Sequence, residues 1–273
     1  MITQKPLRII SCISEKADTI GVALASYLTD RLGIQMAFAL DTPWQDREQM
    51  LDSGQAQIGW ICGLLYGWKV IKQKAPLTLL AAPVMAGRWY QDRPIYYSDV
   101  VVHKDSPFHR FTDLKGASFA YNEQTSFSGY FIVRHHLAAN NLAKHGALSA
   151  FFGSVIVSGA HSRSLQMIVD KQIDAVAIDS TALDFELQIQ PNLRDQIRTI
   201  KMLGPNAIPP LVISTSVAPA IRQSIQDLLL TMHQDTLGRF ILRDAHLTRF
   251  SLGVEQDYRA MVQMIEAVEG TVS

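Results

Sequence analysis

The stretch that decides the fold runs from Ser118 to Leu187. It reads SFAYNEQTSFSGYFIVRHHL (Ser118–Leu137), then FFGSVIVSGAHSRSLQMIVDKQ (Phe151–Gln172), then IDAVAIDSTALDFEL (Ile173–Leu187). Each piece opens with a short β-branched or aromatic run, passes through small polar residues that favour turns and caps, and continues with apolar residues at helical spacing. Alternation of this kind implies parallel strands joined by right-handed crossovers. The hydroxyl, histidine and acidic residues fall where strands end, the edge at which an α/β sheet builds a ligand cleft.

The same alternation extends upstream. Strands are expected at Leu7–Ile13, Gln35–Leu40 and Ile58–Cys62, and helices at Thr19–Leu32, Trp44–Ser53 and Leu64–Gln73. Leu77–Met85 is a further apolar run, followed by the polar and aromatic AGRWYQDRPIYYSD. A second series begins with a strand at Val100–His103 and includes helices at Gly129–Asn140 and Ser164–Lys171. Pro205, Pro209 and Pro210 then interrupt the chain before a strand at Leu211–Thr215 and helices near Ala218–His233, Leu237–Asp244 and Glu255–Val268. The expected organisation is two lobes, 1–97 with 208–273 and 98–207, joined by two hinge crossings.

Composition narrows the function. The chain has 273 residues, 48% of them hydrophobic, enough to bury a sizeable core. Lys plus Arg number 25 and Asp plus Glu also 25, so no overall field gathers nucleic acid or an anionic membrane. No run of about 18 apolar residues is present to span a bilayer. The N-terminal LRIISCIS is too short for a leader and is followed by Glu15, Lys16 and Asp18, so it reads as a buried first strand. Cys12 and Cys62 lie in apolar runs and read as reduced core thiols. Nothing in the pattern calls for a cofactor or metal. His135 and His136 are adjacent on a helix and diverge, there is no paired-cysteine zinc spacing, and no glycine loop or nucleophile elbow of the familiar types occurs.

The candidate binding residues sit at the junctions. Ser126 and Ser128 precede or open a helix, and Gly129 keeps its first turn open to close approach, so hydroxyls and backbone N–H groups there suit an oxyanion or carboxylate; ordinary capping is the competing reading. His161 stands at the mouth of the next helix, with Arg163 beside it. Asp179, Ser180 and Thr181 end the third strand, and Asp179 either accepts from a ligand or caps the helix. Gly63 and Leu64 form another strand-to-helix turn, and Tyr96 and Tyr97 either line a cleft or pack at a hinge.

Taken together, YSDVVVHKDSPFHRFTDLKGASFAYNEQTSFSGY and FFGSVIVSGAHSRSLQMIVDKQIDAVAIDSTAL resemble the phosphate, phosphite and phosphonate substrate-binding proteins of ABC transporters. The resemblance implies an α/β, two-lobed type II periplasmic-binding-protein fold, each lobe a mostly parallel sheet flanked by helices, closing on a small anionic ligand without catalysis. It implies a periplasmic location and an ABC permease as partner. Its ligand contacts map onto Ser126, Ser128 and His161, with an aromatic at Tyr96 or Tyr97 and the region Asp179–Thr181. Phe127 replaces the family's middle hydroxyl, and NAIPPLV (Asn206–Val212) lacks an acidic residue near the second crossing. These departures point to a ligand larger or more apolar than a plain phosphonate.

Two other function classes fit the same scaffold. A cytosolic enzyme would use His161 and Asp179 as acid and base, and a cytosolic sensor would signal through a partner.

Overall fold

β1 (Leu7–Ser11) forms from the buried run Ile9–Ser11, and α1 (Ala17–Leu32) follows with buried Gly21, Leu24, Ala25, Tyr27 and Leu28 at spacings that make one covered stripe. The computed structural model describes residues 6–13 and 17–269, so Glu15 and Lys16 lie outside the described residues. Next come β2 (Met36–Phe38), α2 (Glu48–Asp52), β3 (Ile58–Trp60), α3 (Gly63–Tyr66) and β4 (Leu77–Met85). The middle of the chain contributes β5 (Ile95–His103), β6 (Ser118–Tyr121), α4 (Ile132–Ala139), β7 (Ser154–Val157), α5 (His161–Val169), β8 (Ala175–Asp179), α6 (Ser180–Ile189) and β9 (Ile197–Ala207). It closes with β10 (Leu211–Ser214), α7 (Pro219–Thr231), α8 (Thr236–Asp244), β11 (Leu247–Ser251) and α9 (Glu255–Glu269).

Two units result, Met1–Ile95 with Ala207–Arg259, and Tyr96–Asn206 with Ala260–Ser273. The boundaries differ from those read in the sequence. Tyr96 and Tyr97 belong to the second unit, and the chain passes between units three times rather than twice, the third passage falling inside α9. The cause is polar as well as apolar. Arg134 on α4 pairs with Glu269 at 2.8 Å and donates to the Val268 carbonyl at 2.9 Å, which ties the end of α9 to the second unit. Its beginning stays with the first, where Tyr258 lies 4.7 Å from Tyr66 between ring centroids and donates to the Ile208 carbonyl.

The first unit holds a six-stranded sheet in the order β11-β4-β10-β3-β1-β2, and the second a five-stranded sheet in the order β7-β6-β8-β5-β9. The expected parallel crossovers are present, β1 with β2 and β3, and β6 with β7 and β8. Both sheets are nevertheless mixed. β10 runs antiparallel to β3 and β4, β11 to β4, and β5 to β8. β10 and β5 carry the chain into each unit after a passage, and neither arrives through a crossover helix that would make it parallel.

In the second unit the core lies on both faces of the sheet. Val101, Ala120, Val176 and Ile178 pack with Leu165 and Ile168 of α5 and Leu183 of α6. Phe119 stacks on Phe152 at 4.4 Å, and Phe111 stacks on Phe151. The central strands β5, β6 and β8 are buried, while edge strand β7 is largely exposed and is held by its pairing with β6.

Candidate oxyanion site in the second unit

The turn after β6 is held by its own serine. Ser126 Oγ accepts the Gly129 N–H at 3.0 Å, and the chain then enters a π-helical turn at Phe127–Phe131 before α4. The widened turn shows in the bonds from the Phe131 N–H to the Ser126 carbonyl and from the Ile132 N–H to the Phe127 carbonyl. Ser98 of β5 donates to the Ser128 carbonyl at 2.6 Å, so a buried strand residue fixes the Ser128 backbone. A Cβ on Gly129 would stand 2.1 Å from Asn122 Oδ1, so glycine lets the Asn122 carboxamide pack against this turn.

The turn after β7 is stitched to the first. The Ser158 N–H donates to the Tyr121 carbonyl at 2.8 Å and the Gly159 N–H to the Asn122 carbonyl at 2.9 Å. Ser158 Oγ lies 2.5 Å from Ser164 Oγ, joining this turn to α5. Gly159 has φ +89°, a left-handed conformation that favours glycine. His161 is then the first residue of α5, three residues earlier than the helix read from the sequence, and the capping position, Ala160, supplies no side-chain acceptor.

These two turns bring Ser126, Ser128 and His161 together. Ser128 Oγ lies 3.2 Å from His161 Nε2 and 3.5 Å from Ser126 Oγ. His161 Nδ1 is buried with no hydrogen-bond partner, although part of the residue remains exposed. Burial pushes the imidazole down to about 4, so it is neutral at pH 7. The cluster is a set of uncharged donors and acceptors.

The remaining expected residues are placed differently. Asp179 Oδ1 accepts from the Thr181 N–H at 2.8 Å and from Thr181 Oγ1 at 2.7 Å, which caps α6. Burial raises its carboxyl, and the Thr181 bonds oppose that rise. Ser180 Oγ accepts the Tyr97 N–H at 3.0 Å and so fastens β5 to α6. Among the described residues no hydrogen bond links Asp179 to His161, the pair an acid/base mechanism would need. Tyr96 is buried in β5. Phe127 is only 6% exposed, so its ring adds little accessible apolar surface. Gly63 and Leu64 open α3 in the first unit, behind Cys62, whose thiol accepts the Leu65 N–H at 3.3 Å. Cys12 and Cys62 form no disulfide with each other, and burial pushes Cys12 up to about 12.

Sequence reading passed over Asn122 and Asp99. Asn122 looks like any turn residue, yet it is 7% exposed and its Oδ1 is buried without a partner. Asp99 was placed ahead of a strand expected to begin at Val100; it lies inside β5, 8% exposed, with Oδ1 unpartnered. Burial, then the charges of Asp184 and Asp179, raise its carboxyl to about 7. Among the described residues no group of three or more His, Cys, Asp and Glu could hold a metal, and no helix is long and apolar enough to cross a membrane.

Known proteins share the family and the fold of this chain. A curated phosphonates-binding periplasmic protein of Escherichia coli is 22% identical over 144 residues, a match spanning 50% of this chain and 40% of that protein's length. A phosphonate transporter binding protein from Pseudomonas aeruginosa superposes with a TM-score of 0.76 at 17% identity, covering 96% of this chain and 86% of the other. A Prochlorococcus marinus protein in complex with methylphosphonate gives a TM-score of 0.77 at 12% identity, over 95% and 97% of the two chains. A Xanthomonas citri protein bound to ATP gives 0.72 at 17% identity, over 99% and 100%. The architecture is that of the type II periplasmic binding proteins. Residues 14–258 match the family described as the periplasmic phosphonate substrate-binding proteins of ABC transporters, and the chain belongs to that family.

Proposed function

We propose that this protein is a transport receptor for a small organic oxyanion of the phosphonate type, gripped in the second unit by Ser126 and Ser128, with His161 orienting the Ser128 hydroxyl. The observation that carries the reading is the convergence of Ser126, Ser128 and His161 from two adjacent strand-to-helix turns, with Ser128 Oγ 3.5 Å from Ser126 Oγ and 3.2 Å from His161 Nε2. With its proton on Nε2, His161 donates to Ser128 Oγ, which leaves the Ser128 hydroxyl hydrogen for the ligand. Ser126 accepts from Gly129 and likewise keeps its hydrogen to donate. Hydroxyl and N–H donors on rigid junctions bind an oxyanion without a formal positive charge, through charge-assisted hydrogen bonds.

An ABC permease is the proposed partner and the periplasm the proposed location, both supported by the family. Because relatives of this fold are bound to ligands as different as methylphosphonate and ATP, the recognised feature is proposed to be the terminal phosphorus–oxygen group. Titration calorimetry with methylphosphonate, phosphate and ATP tests this. The doubly substituted Ser128→Ala, His161→Ala protein is expected to lose about tenfold to 100-fold in affinity, since the Ser128 hydrogen bond to a charged ligand is worth about 1.5–3 kcal/mol. Unchanged binding in that variant overturns the assignment.

A further inference from the structure

We propose that Asn122 is a further binding residue of this site, and that its Oδ1 selects the singly protonated form of the ligand by accepting the hydrogen of a P–OH group. The inference rests on the oxyanion reading above and sharpens it from an anion to a particular protonation state.

The placement of Oδ1 is the first ground. It lies 2.1 Å from the point where a Cβ on Gly129 would stand, and Ser126 Oγ lies 3.2 Å from that same point. The carboxamide oxygen and a site hydroxyl therefore share one side of Gly129. The Asn122 backbone is fixed by the bond its carbonyl accepts from Gly159, so the residue stands at the join of the two turns that make the site. Oδ1 nonetheless has no hydrogen-bond partner, while the residue is more than nine-tenths buried. A buried acceptor left empty costs about 1–3 kcal/mol, and a donor arriving with the ligand recovers that cost.

Charge is the second ground. An acceptor faces a fully ionised phosphonate oxygen with repulsion and a P–OH oxygen with a hydrogen bond. The site residues are uncharged at neutral pH, so they offer little to offset the desolvation of a dianion, which grows as the square of the charge and is about four times that of a monoanion. The titratable groups around the site are His161 at the start of α5, Glu123 on the same turn as Asn122, Asp179 at the start of α6 and Asp99 in β5.

Methylphosphonate and methanesulfonate separate the ligand's proton from the protein's. They match in shape, but the sulfonate remains a monoanion with no hydrogen to give, so the ratio of their affinities cancels the titration of Asp99 and its neighbours. Calorimetry from pH 5.5 to pH 8.5 is expected to show the unsubstituted protein favouring methylphosphonate at least about tenfold at the acidic end. The ratio should then fall about tenfold per pH unit above the ligand's second ionisation. Asn122→Ala, checked for folding by circular dichroism, is expected to bring the ratio close to one by weakening methylphosphonate and leaving methanesulfonate equal or tighter. Equal affinities at every pH in the unsubstituted protein, or methylphosphonate binding that tightens as pH rises, overturns the role of Asn122 while leaving the oxyanion site standing. Failure of methylphosphonate, methanesulfonate and phosphate all to bind overturns the oxyanion reading itself.

Discussion

The turn after β3 in the first unit and the turn after β6 in the second are built alike and behave differently. Each has a side chain that accepts the N–H three residues on, Cys62 from Leu65 and Ser126 from Gly129. Each leads into a π-helical turn, Gly67–Lys72 in one and Phe127–Phe131 in the other. The first uses a thiol, a weak acceptor, and continues with Gly63, Leu64 and the buried Tyr66. The second uses a hydroxyl and gathers Ser128, His161 and Asn122 around it. Charges follow the same division. Buried Arg47 is paired with Asp18, and buried Lys69 with Glu48 and Asp52, all in the first unit. Six of the eight buried polar side-chain atoms found without a partner among the described residues lie in the second unit. Local geometry is thus shared, while unmet hydrogen-bonding capacity among the described residues is concentrated in the second unit.

Removing the unpaired acid should produce the largest effect. Between 3.8 and about 7 the unfolded chain ionises Asp99 while the folded chain keeps it protonated, so stability falls as pH rises through that window and levels off above it. Asp99→Asn should therefore leave stability near the unsubstituted value at pH 4 and raise it at pH 8, by on the order of 3–4 kcal/mol. Urea unfolding at the two pH values checks this, and a gap that fails to widen contradicts it. His161 acts in the opposite direction. Its contribution is complete above 6.5 and is lost as pH falls toward about 4, so a variant such as His161→Phe should flatten the acid limb of the stability profile.

Gly129→Ala comes next. The new Cβ meets Asn122 Oδ1 at 2.1 Å, and relief requires the buried Asn122 carboxamide to rotate away, at about 1–3 kcal/mol in denaturant unfolding. Oxyanion affinity should fall with it. The two caps give the smallest effects and the most direct comparison. Ser126→Ala should cost about 1 kcal/mol, and Cys62→Ala only a few tenths, since the thiol accepts weakly. Equal losses would erase the distinction between the turns.

Much of this was legible in the chain. The junctions were readable because apolar strands, turn residues and amphipathic helices follow one another with little interruption from Ser118 to Leu187. β5 was read as starting at Val100 because Tyr96-Tyr97-Ser98-Asp99 looks like a polar linker, yet tertiary burial carries the strand back to Ile95. β9 was invisible because Arg198, Lys201 and Met202 occupy its more exposed positions and a Gly-Pro pair lies within it. The site divides in the same way. Ser126, Ser128 and His161 stood out by type and position, whereas Asn122 matters through an empty hydrogen-bonding site, which only three-dimensional packing reveals.

The helix that begins in one unit and ends in the other has a consequence for how such a protein can be cut. Residues 96–206 are the one long contiguous stretch of the second unit, but a gene fragment encoding only them would leave Arg134 without Glu269 and the Val268 carbonyl. Cutting the chain at Arg259 would strip the same two contacts while sparing the Tyr258 hydroxyl bond to Ile208. The last turns of α9 thus belong with the middle segment. Shuffling of the middle segment between relatives is viable only when the matching last turns of α9 travel with it.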